Sequence, residues 1–203
     1  EYLRKKLDNS NQILTKMRKD IANDLKTDLI KYLKPLGLQH VRFAVELSEV
    51  RPSDHGADKV TFMFSANPGQ PLKPLSETAS GGEMSRFMLV LKKLLSQSAF
   101  STSLLFDEID SGVSGRISSA LADLLKDLSQ HQQVFCVTHQ PLIAAAADNH
   151  FSVFKTIVDG QTKSSVDFLE TIQDRQNELA QLAGGDRIEA KAYAVSLLEK
   201  EAA

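Results

Sequence analysis

Two glycines beside a serine and a glutamate form the first group of residues with the chemistry to bind a phosphate. Ser80-Gly81-Gly82-Glu83 stands at the start of a predicted helix. A serine followed three residues later by glutamate is a capping box, which accounts for Ser80 and Glu83 structurally. It leaves Gly81 and Gly82 unexplained, since glycine in a helix costs about 1 kcal/mol relative to alanine. Free N–H groups at a helix start bind anions, so capping and phosphate binding both stay open.

Two adjacent carboxylates form the second group. Asp107 and Glu108 directly follow the apolar segment Leu104–Phe106, which predicts a short buried strand. Ligands of open α/β sheets collect where the strands end. Because successive residues on a strand point to opposite sides, one carboxylate could hold a hydrated Mg²⁺ while the other orients or deprotonates a water. A single acid that caps the next turn is the alternative, and it accounts for only one of the two residues.

Two further polar groups follow strand-like segments. Asp110-Ser111-Gly112 begins the loop that leads to the next predicted helix, where Ser114 could simply be the N-cap. Thr138 and His139 follow the apolar segment Val134–Val137. A single histidine after a strand is more often a surface or capping residue than a ligand. Here it follows the strand neighbouring the two carboxylates, at the same edge of the predicted sheet, and this placement favours a functional role.

The N-terminal 33 residues predict one long helix, because they lack glycine and proline and their apolar residues recur at helical spacing until Pro35 and Gly37. Part of that spacing is heptad-like, which is typical of a coiled coil. The alternative is an amphipathic helix that lies on its own domain. We predict a coiled-coil arm over 1–34 and a second domain over 35–203.

The remaining segments predict an α/β fold. Strand-like stretches at 41–50 and 60–66 precede a proline-rich segment, 67–74, that is predicted to be irregular. Helices are predicted at 81–97, 114–128 and 142–147, with the two short strands lying between them. A strand–helix–strand order implies a parallel pair with a right-handed crossover. Asp159-Gly160 predicts a hairpin between 150–158 and 162–169, and two helices separated by Gly184-Gly185 close the chain.

Taken in order, the four polar groups resemble the C-terminal lobe of an ABC/SMC-type P-loop NTPase head, with a mostly parallel sheet flanked by helices. The segments 65–69, 75–86, 106–115, 137–141 and 145–150 are similar to the RecN family, bacterial SMC-like DNA-repair ATPases. Met84 and Ser111 depart from the family pattern, at positions outside the proposed chemistry. Residues 1–34 would then be the returning strand of the coiled coil.

The resemblance implies a role for each group. Ser80, Gly81, Gly82 and Glu83 would form the signature motif that covers ATP bound to a second head. Asp107 would hold Mg²⁺ through water, Glu108 would be the general base and His139 the switch histidine, while Asp110, Ser111 and Gly112 would form the D-loop that links the two sites. Implied partners are a second copy, joined through ATP-bound heads, and DNA (double-stranded, at ends or single-stranded regions) during double-strand break repair and recombination.

A Walker A motif, Gly-x-x-x-x-Gly-Lys-Ser/Thr, occurs nowhere in the 203 residues. In the family this motif lies on an N-terminal lobe upstream of the coiled coil. We therefore expect that the chain is a C-terminal fragment or one lobe of a split head, which does not hydrolyse ATP alone. The alternatives are another SMC-like or ABC-type head, including that of a transporter, and a non-catalytic lobe for dimerisation or DNA binding.

Composition and charge narrow the classes of protein. The 42% hydrophobic and 25% charged residues indicate a globular protein, and no apolar run is long enough for a membrane span. One cysteine, Cys136, excludes a disulfide framework and fits a reducing, cytoplasmic location, which the resemblance would place at the nucleoid. The net charge of −2 combines +4 over residues 1–34 with −6 over the rest. Lys16, Arg18 and Lys19 are therefore the candidate DNA contacts, although basic residues on a coiled coil are often only solvated.

Overall fold

The computed structural model describes residues 1–77, 81–95, 103–158 and 160–202, and these divide into two compact units, Glu1–Ala99 and Phe100–Ala203. The first unit contains helix α1 (Tyr2–Leu33), strands β1 (Arg42–Ser53), β2 (Gly56–Ser65) and β3 (Lys73–Pro74), a 3-10 turn and helix α2 (Gly81–Leu95). The second contains β4 (Leu104–Phe106), α3 (Arg116–Ser129), β5 (Val134–Cys136), α4 (Pro141–Ala145), β6 (Phe151–Val158), β7 (Gln161–Phe168), α5 (Ile172–Ala183) and α6 (Ile188–Ala202).

Helix α1 has the extent that the sequence predicts, but its apolar stripe has two different environments. Leu29 and Leu33 are completely buried in the first unit, where α1 packs against β1, β2 and α2. Nearer the N-terminus the apolar side chains at 3, 7, 13, 17 and 21 are at least half exposed. The C-terminal part therefore behaves as the amphipathic helix of the alternative interpretation. The N-terminal part leaves an apolar stripe without a cover among the described residues, and the coiled coil remains a prediction.

The first sheet is antiparallel, in the order β1-β2-β3, and supports an aromatic cluster. The Phe87 ring on α2 lies 5.7 Å from that of Phe43 on β1 and 5.3 Å from that of Phe64 on β2. All three rings are buried, and each contributes a large apolar area to the core. This cluster fixes α2, and with it Gly81 and Gly82, against the sheet.

Two sequence predictions in this unit need correction. The loop between the first two strands is much shorter than predicted, because β1 continues to Ser53 through an irregularity between Glu49 and Ser53 and β2 already begins at Gly56. The proline-rich segment is not wholly irregular: Lys73 and Pro74 pair with Phe64 and Met63. A proline fits there because β3 lies at the edge of the sheet, where it need not donate a hydrogen bond.

The second unit confirms the parallel strand pair that the sequence predicts. β4 and β5 pair in parallel with Leu105 opposite Phe135, and α3 connects them and packs against β5. Among the described strands this is the one parallel pairing, since β6 and β7 form an antiparallel hairpin. The α/β class is therefore confirmed.

β4 is buried on one face only and β5 is half-buried on one face, in contrast to the prediction of buried strands. Leu104 and Phe106 are buried, whereas Leu105 is 72% exposed and Phe135 is 46% exposed. The cause is the pleat, which turns alternate side chains to opposite faces of the sheet. A second correction concerns the start of α3, where Gly115 is the N-cap and no side chain caps the helix.

The C-terminal helices pack around α4. Leu179, Ala180, Ala194 and Leu197 are buried with Ala144 and Ala145. Helix α5 begins with a capping box in which Thr171 and Asp174 satisfy each other's backbone N–H groups, and the Gly184-Gly185 break separates α5 from α6 as predicted. None of the described helices has the length and apolarity that a membrane span requires.

Candidate nucleotide site

The candidate site residues fall into the two units, and each group is described by itself. In the first unit α2 begins at Gly81, which is exposed, and Gly82 and Glu83 are partly buried in its first turn. Ser80 lies outside the described residues, so neither its capping role nor a phosphate contact is tested. Glu83 acts electrostatically on the buried Arg86, where it opposes the lowering of the arginine pKa caused by burial. The first turn of α2 therefore offers glycine backbone N–H groups beside an acid.

In the second unit the candidate residues lie where β4 and β5 end. Both strands run in the same direction, so the segments that follow them, Asp107–Gly112 and Val137–Gln140, lie at the same edge. The amide of Val137 donates to the carbonyl of Phe106 at 2.9 Å, which extends the pairing by one residue beyond the strands. Parallel pairing is thus what brings the acidic group and the Thr138-His139 group together.

Glu108 has an unusual backbone conformation. β4 ends at Phe106, so Asp107 and Glu108 already belong to the turn, and the expectation that strand alternation separates them is wrong. The φ of Glu108 is +55°, and it is the one non-glycine residue with positive φ in the described part of the chain. Its carbonyl accepts a hydrogen bond from the amide of Ser111 at 3.1 Å. Backbone strain of this kind costs of order 1–3 kcal/mol and concentrates at functional sites. Both carboxylates are exposed.

Asp110 lies beneath this turn and contacts the end of β5. Its side chain is 2% exposed, and its Oδ2 atom accepts hydrogen bonds from Thr138 Oγ1 at 2.5 Å and from the His139 amide at 3.1 Å. The same oxygen lies 3.1 Å from Nδ1 of the His139 ring. The sequence places Asp110 in a loop and gives no sign of this contact, because the partners are 28 and 29 residues away.

The pKa of the Cys136 thiol reflects the burial and the charges near this edge of the sheet. Burial, with smaller contributions from the carboxylates of Asp110 and Asp107, raises the pKa of this thiol to about 12. The neighbourhood is therefore apolar and negative, which suits a hydrated divalent cation and does not suit a thiolate. Among the described residues no three His, Cys, Asp or Glu side chains are arranged to hold a metal ion directly.

The three candidate DNA contacts on α1 differ in how far their side chains are exposed to solvent. Lys16 and Lys19 are exposed. Arg18 is 24% exposed, and its guanidinium contacts Asp58 Oδ2 at 3.0 Å and the His55 carbonyl at 2.6 Å. These contacts hold the tip of the β1–β2 hairpin on α1, and Arg18 therefore has a structural role that the sequence does not reveal.

This chain is similar in sequence to several proteins named DNA repair protein RecN. The DNA repair protein RecN of Synechocystis is 48% identical over 94% of this chain, and those of Halalkalibacterium halodurans and Bacillus subtilis are 37% and 35% identical over 91% and 92%. The chain belongs to the RecN family. It spans about a third of the length of these relatives, 35%, 34% and 35% in turn. No family model matches the chain.

Solved structures agree on the fold of this RecN-family chain. The Smc head domain with a coiled coil and joint from Pyrococcus yayanosii aligns with a TM-score of 0.52, 21% identity and coverage of 92% of this chain and 30% of that one. The Smc head domain with an extended coiled coil from Pyrococcus furiosus aligns with a TM-score of 0.50, 22% identity and coverage of 84% and 40%. The chain thus has the fold of part of an SMC head.

Proposed function

We propose that this chain is the C-terminal lobe of the ATPase head of a RecN-type DNA repair protein, acting in double-strand break repair and recombination. The observation that carries the proposal is the strained turn at Glu108, which follows Asp107 at the edge where Thr138 and His139 also lie. A positive φ at a non-glycine residue is costly and concentrates at functional sites, and the Glu108 carboxylate is exposed, as a general base that contacts substrate must be. The 35–48% identity to proteins named DNA repair protein RecN supports the same conclusion.

The roles of the residues follow from their chemistry. Glu108 accepts the proton of an attacking water, and Asp107 is the carboxylate that would hold Mg²⁺ through water, a donor type which that ion prefers. His139 contacts the terminal phosphate. Bound Mg²⁺ would neutralise charge on the transferred phosphoryl group. In this proposal the chain itself supplies proton acceptance and orientation.

Covering a nucleotide is the proposed task of Ser80, Gly81 and Gly82, with Glu83 in the same first turn. Two glycines let a phosphate approach backbone N–H groups at the positive end of α2. The nucleotide would sit on the Walker A loop of one head and be covered by the signature motif of a second copy. The loop of Asp110, Ser111 and Gly112 would link the two sites through Ser111 and Gly112, which are exposed, while the side chain of Asp110 is buried within this chain. ATP would thus join the heads, and a coiled-coil arm would tether DNA.

The N-terminal lobe of the same protein is the proposed partner for the open face of the β4–β5 pair. Leu105, Phe135 and Val137 are 72%, 46% and 57% exposed, and Leu105 and Phe135 are direct neighbours across the two strands. Parallel sheets are normally covered on both faces. A missing lobe that carries the Walker A strand would cover this apolar surface and supply the phosphate-binding lysine that the chain lacks.

The test is ATP hydrolysis by the full-length protein that contains this chain, with Glu108→Gln as the variant. We expect nucleotide binding to persist while turnover falls by roughly 10²–10⁴-fold, the range for loss of a general base. Glu189→Gln, which changes an exposed glutamate on α6, is the matched control and should keep full activity. Equal turnover in wild type and Glu108→Gln would contradict the assignment. The 203-residue chain alone is expected to be inactive.

A further inference from the structure

The carboxylate of Asp110 is buried in the second unit, although the turn that contains it does not need this side chain for its own structure. The backbone carbonyl of Asp110 already closes the turn by accepting from the Val113 amide at 3.3 Å. The side chain adds nothing to that closure, yet it is buried, and a buried carboxylate is costly unless polar partners surround it. Its partners are Thr138 and His139, both on the neighbouring strand end.

The ring of His139 is held at both nitrogens. Nδ1 lies 3.1 Å from Asp110 Oδ2, and it must carry a proton there because a lone pair would be repelled by the carboxylate oxygen. Nε2 lies 3.4 Å from the side-chain amide nitrogen of Gln140. That nitrogen also donates to the Val113 carbonyl at 3.1 Å, which fixes the orientation of the amide. An amide nitrogen only donates, so Nε2 is the acceptor.

We propose that Asp110 is the positioning residue of His139. Its carboxylate accepts a hydrogen bond from Nδ1, which fixes the proton on that nitrogen and leaves Nε2 as the nitrogen that can face a nucleotide. The ring is 70% exposed, so the anchored side points inward while Nε2 remains accessible beside Gln140. A phosphate oxygen only accepts, so in a phosphate-bound state Nε2 would give up the Gln140 contact and take up a proton, and the Asp110 carboxylate would balance the charge of the doubly protonated ring. This inference rests on the proposed function for the identity of the ligand, but the state of the ring is independent of it.

Two substitutions of Asp110 test the positioning role, since one retains an oxygen that can accept from the ring and the other removes it. Asp110→Asn retains the size and one acceptor oxygen, so it should hold the ring in nearly the same orientation. Asp110→Ala removes the acceptor and leaves the tautomer of His139 unset, because the proton position on an imidazole follows the hydrogen bond of the other nitrogen. Asp123→Asn, at an exposed carboxylate on α3, is the matched control.

The experiment uses the full-length protein labelled with ¹⁵N-histidine, and His139→Gln identifies the signals of that ring. In wild type we expect the proton on Nδ1 and a proton-free Nε2. In Asp110→Ala the proton should move to Nε2 in a large fraction of molecules, and kcat for ATP should fall roughly 10- to 100-fold with little change in KM, as when a carboxylate that orients a metal-bound histidine is removed. Asp110→Asn should retain the Nδ1 proton and lie between the two in kcat.

Either of two results would overturn the inference: a proton on Nε2 of His139 in the wild type, or an unchanged ring spectrum and kcat in Asp110→Ala. Should Asp110→Ala fail to fold, Asp110→Asn decides, because a kcat equal to that of the wild type there contradicts the role of the Asp110 carboxylate. Failure of the proposed function looks different. In that case wild-type protein would not hydrolyse ATP, while the ring spectra would still report on Asp110 and His139.

Discussion

Adding one methyl group at Gly56, at the tip of the β1–β2 hairpin, should weaken the packing of the hairpin on α1. The φ of Gly56 is +93°, and a Cβ atom there would lie 2.7 Å from Leu14 Cδ2 and 3.3 Å from Arg18 Nη1, both on α1. The left-handed backbone costs an alanine about 1–2 kcal/mol. The contact with Leu14 adds to this, although the end of that side chain can move. We expect Gly56→Ala to weaken the attachment of the hairpin to α1 by about 1–2 kcal/mol or slightly more.

Gly69→Ala separates backbone strain from this contact. Gly69 lies in the same unit with φ +79°, and a Cβ atom there would meet nothing within 4 Å. It should therefore show the backbone cost alone. The difference between the two variants measures how closely the hairpin tip packs on α1.

Hydrogen exchange read by mass spectrometry is the assay. A loss of 1–2 kcal/mol raises the open fraction about 5- to 30-fold, so amides of residues 42–65 should exchange faster by that factor in Gly56→Ala. Peptides from the second unit, such as 116–129, serve as an internal reference and should not change. Exchange in Gly56→Ala that equals or falls below that in Gly69→Ala would refute the packing argument.

Three further outcomes follow from charge and burial. Lys16→Glu with Lys19→Glu should weaken DNA binding by the full-length protein and flatten its salt dependence, whereas unchanged affinity at graded salt would remove these residues from the interface. Because the pKa of Cys136 is raised to about 12, the native thiol should react with iodoacetamide at pH 8 far more slowly than the urea-unfolded thiol, and equal rates would contradict its burial. Burial, followed by the charge of Arg175, lowers the pKa of His150 while Glu178 opposes the shift. The unfolded state therefore binds the proton first, and stability should fall as pH drops below about 6.5; His150→Gln should lessen that fall in urea unfolding.

The sequence was sufficient for features that depend on local pattern. Helix α1, the parallel β4–β5 pair and the hairpin of β6 and β7 follow from apolar spacing and turn residues, and the order of polar groups placed Asp107 and His139 at one edge. The structure brings those two groups to that edge. The function of the edge stays a proposal.

Other features depend on contacts between distant residues, which local pattern does not contain. Nothing near Asp110 indicates that its carboxylate meets residues 28 and 29 positions later. In the sequence Arg18 is one of several basic residues on an exposed helix, and only the fold brings Asp58 into contact with it. The exposed faces of Leu105 and Phe135 escaped prediction because an apolar run predicts burial without saying which layer covers each face.

The attachment of the hairpin to α1 also determines how force could pass along the helix. Thr15 donates to both carboxylate oxygens of Asp58, at 2.9 and 2.7 Å, and Arg18 holds the same side chain. Leu14 lies about 28 Å from the C-terminal end of α1 at Leu33, at 1.5 Å per residue. Helix α1 is therefore attached to the first unit at two places, by the hairpin contacts near Leu14 and by the burial of Leu33. The helix between these two attachments cannot bend away from the unit. Any bend of the arm relative to this unit must therefore fall before Asn11, in the first ten residues, all of which are exposed.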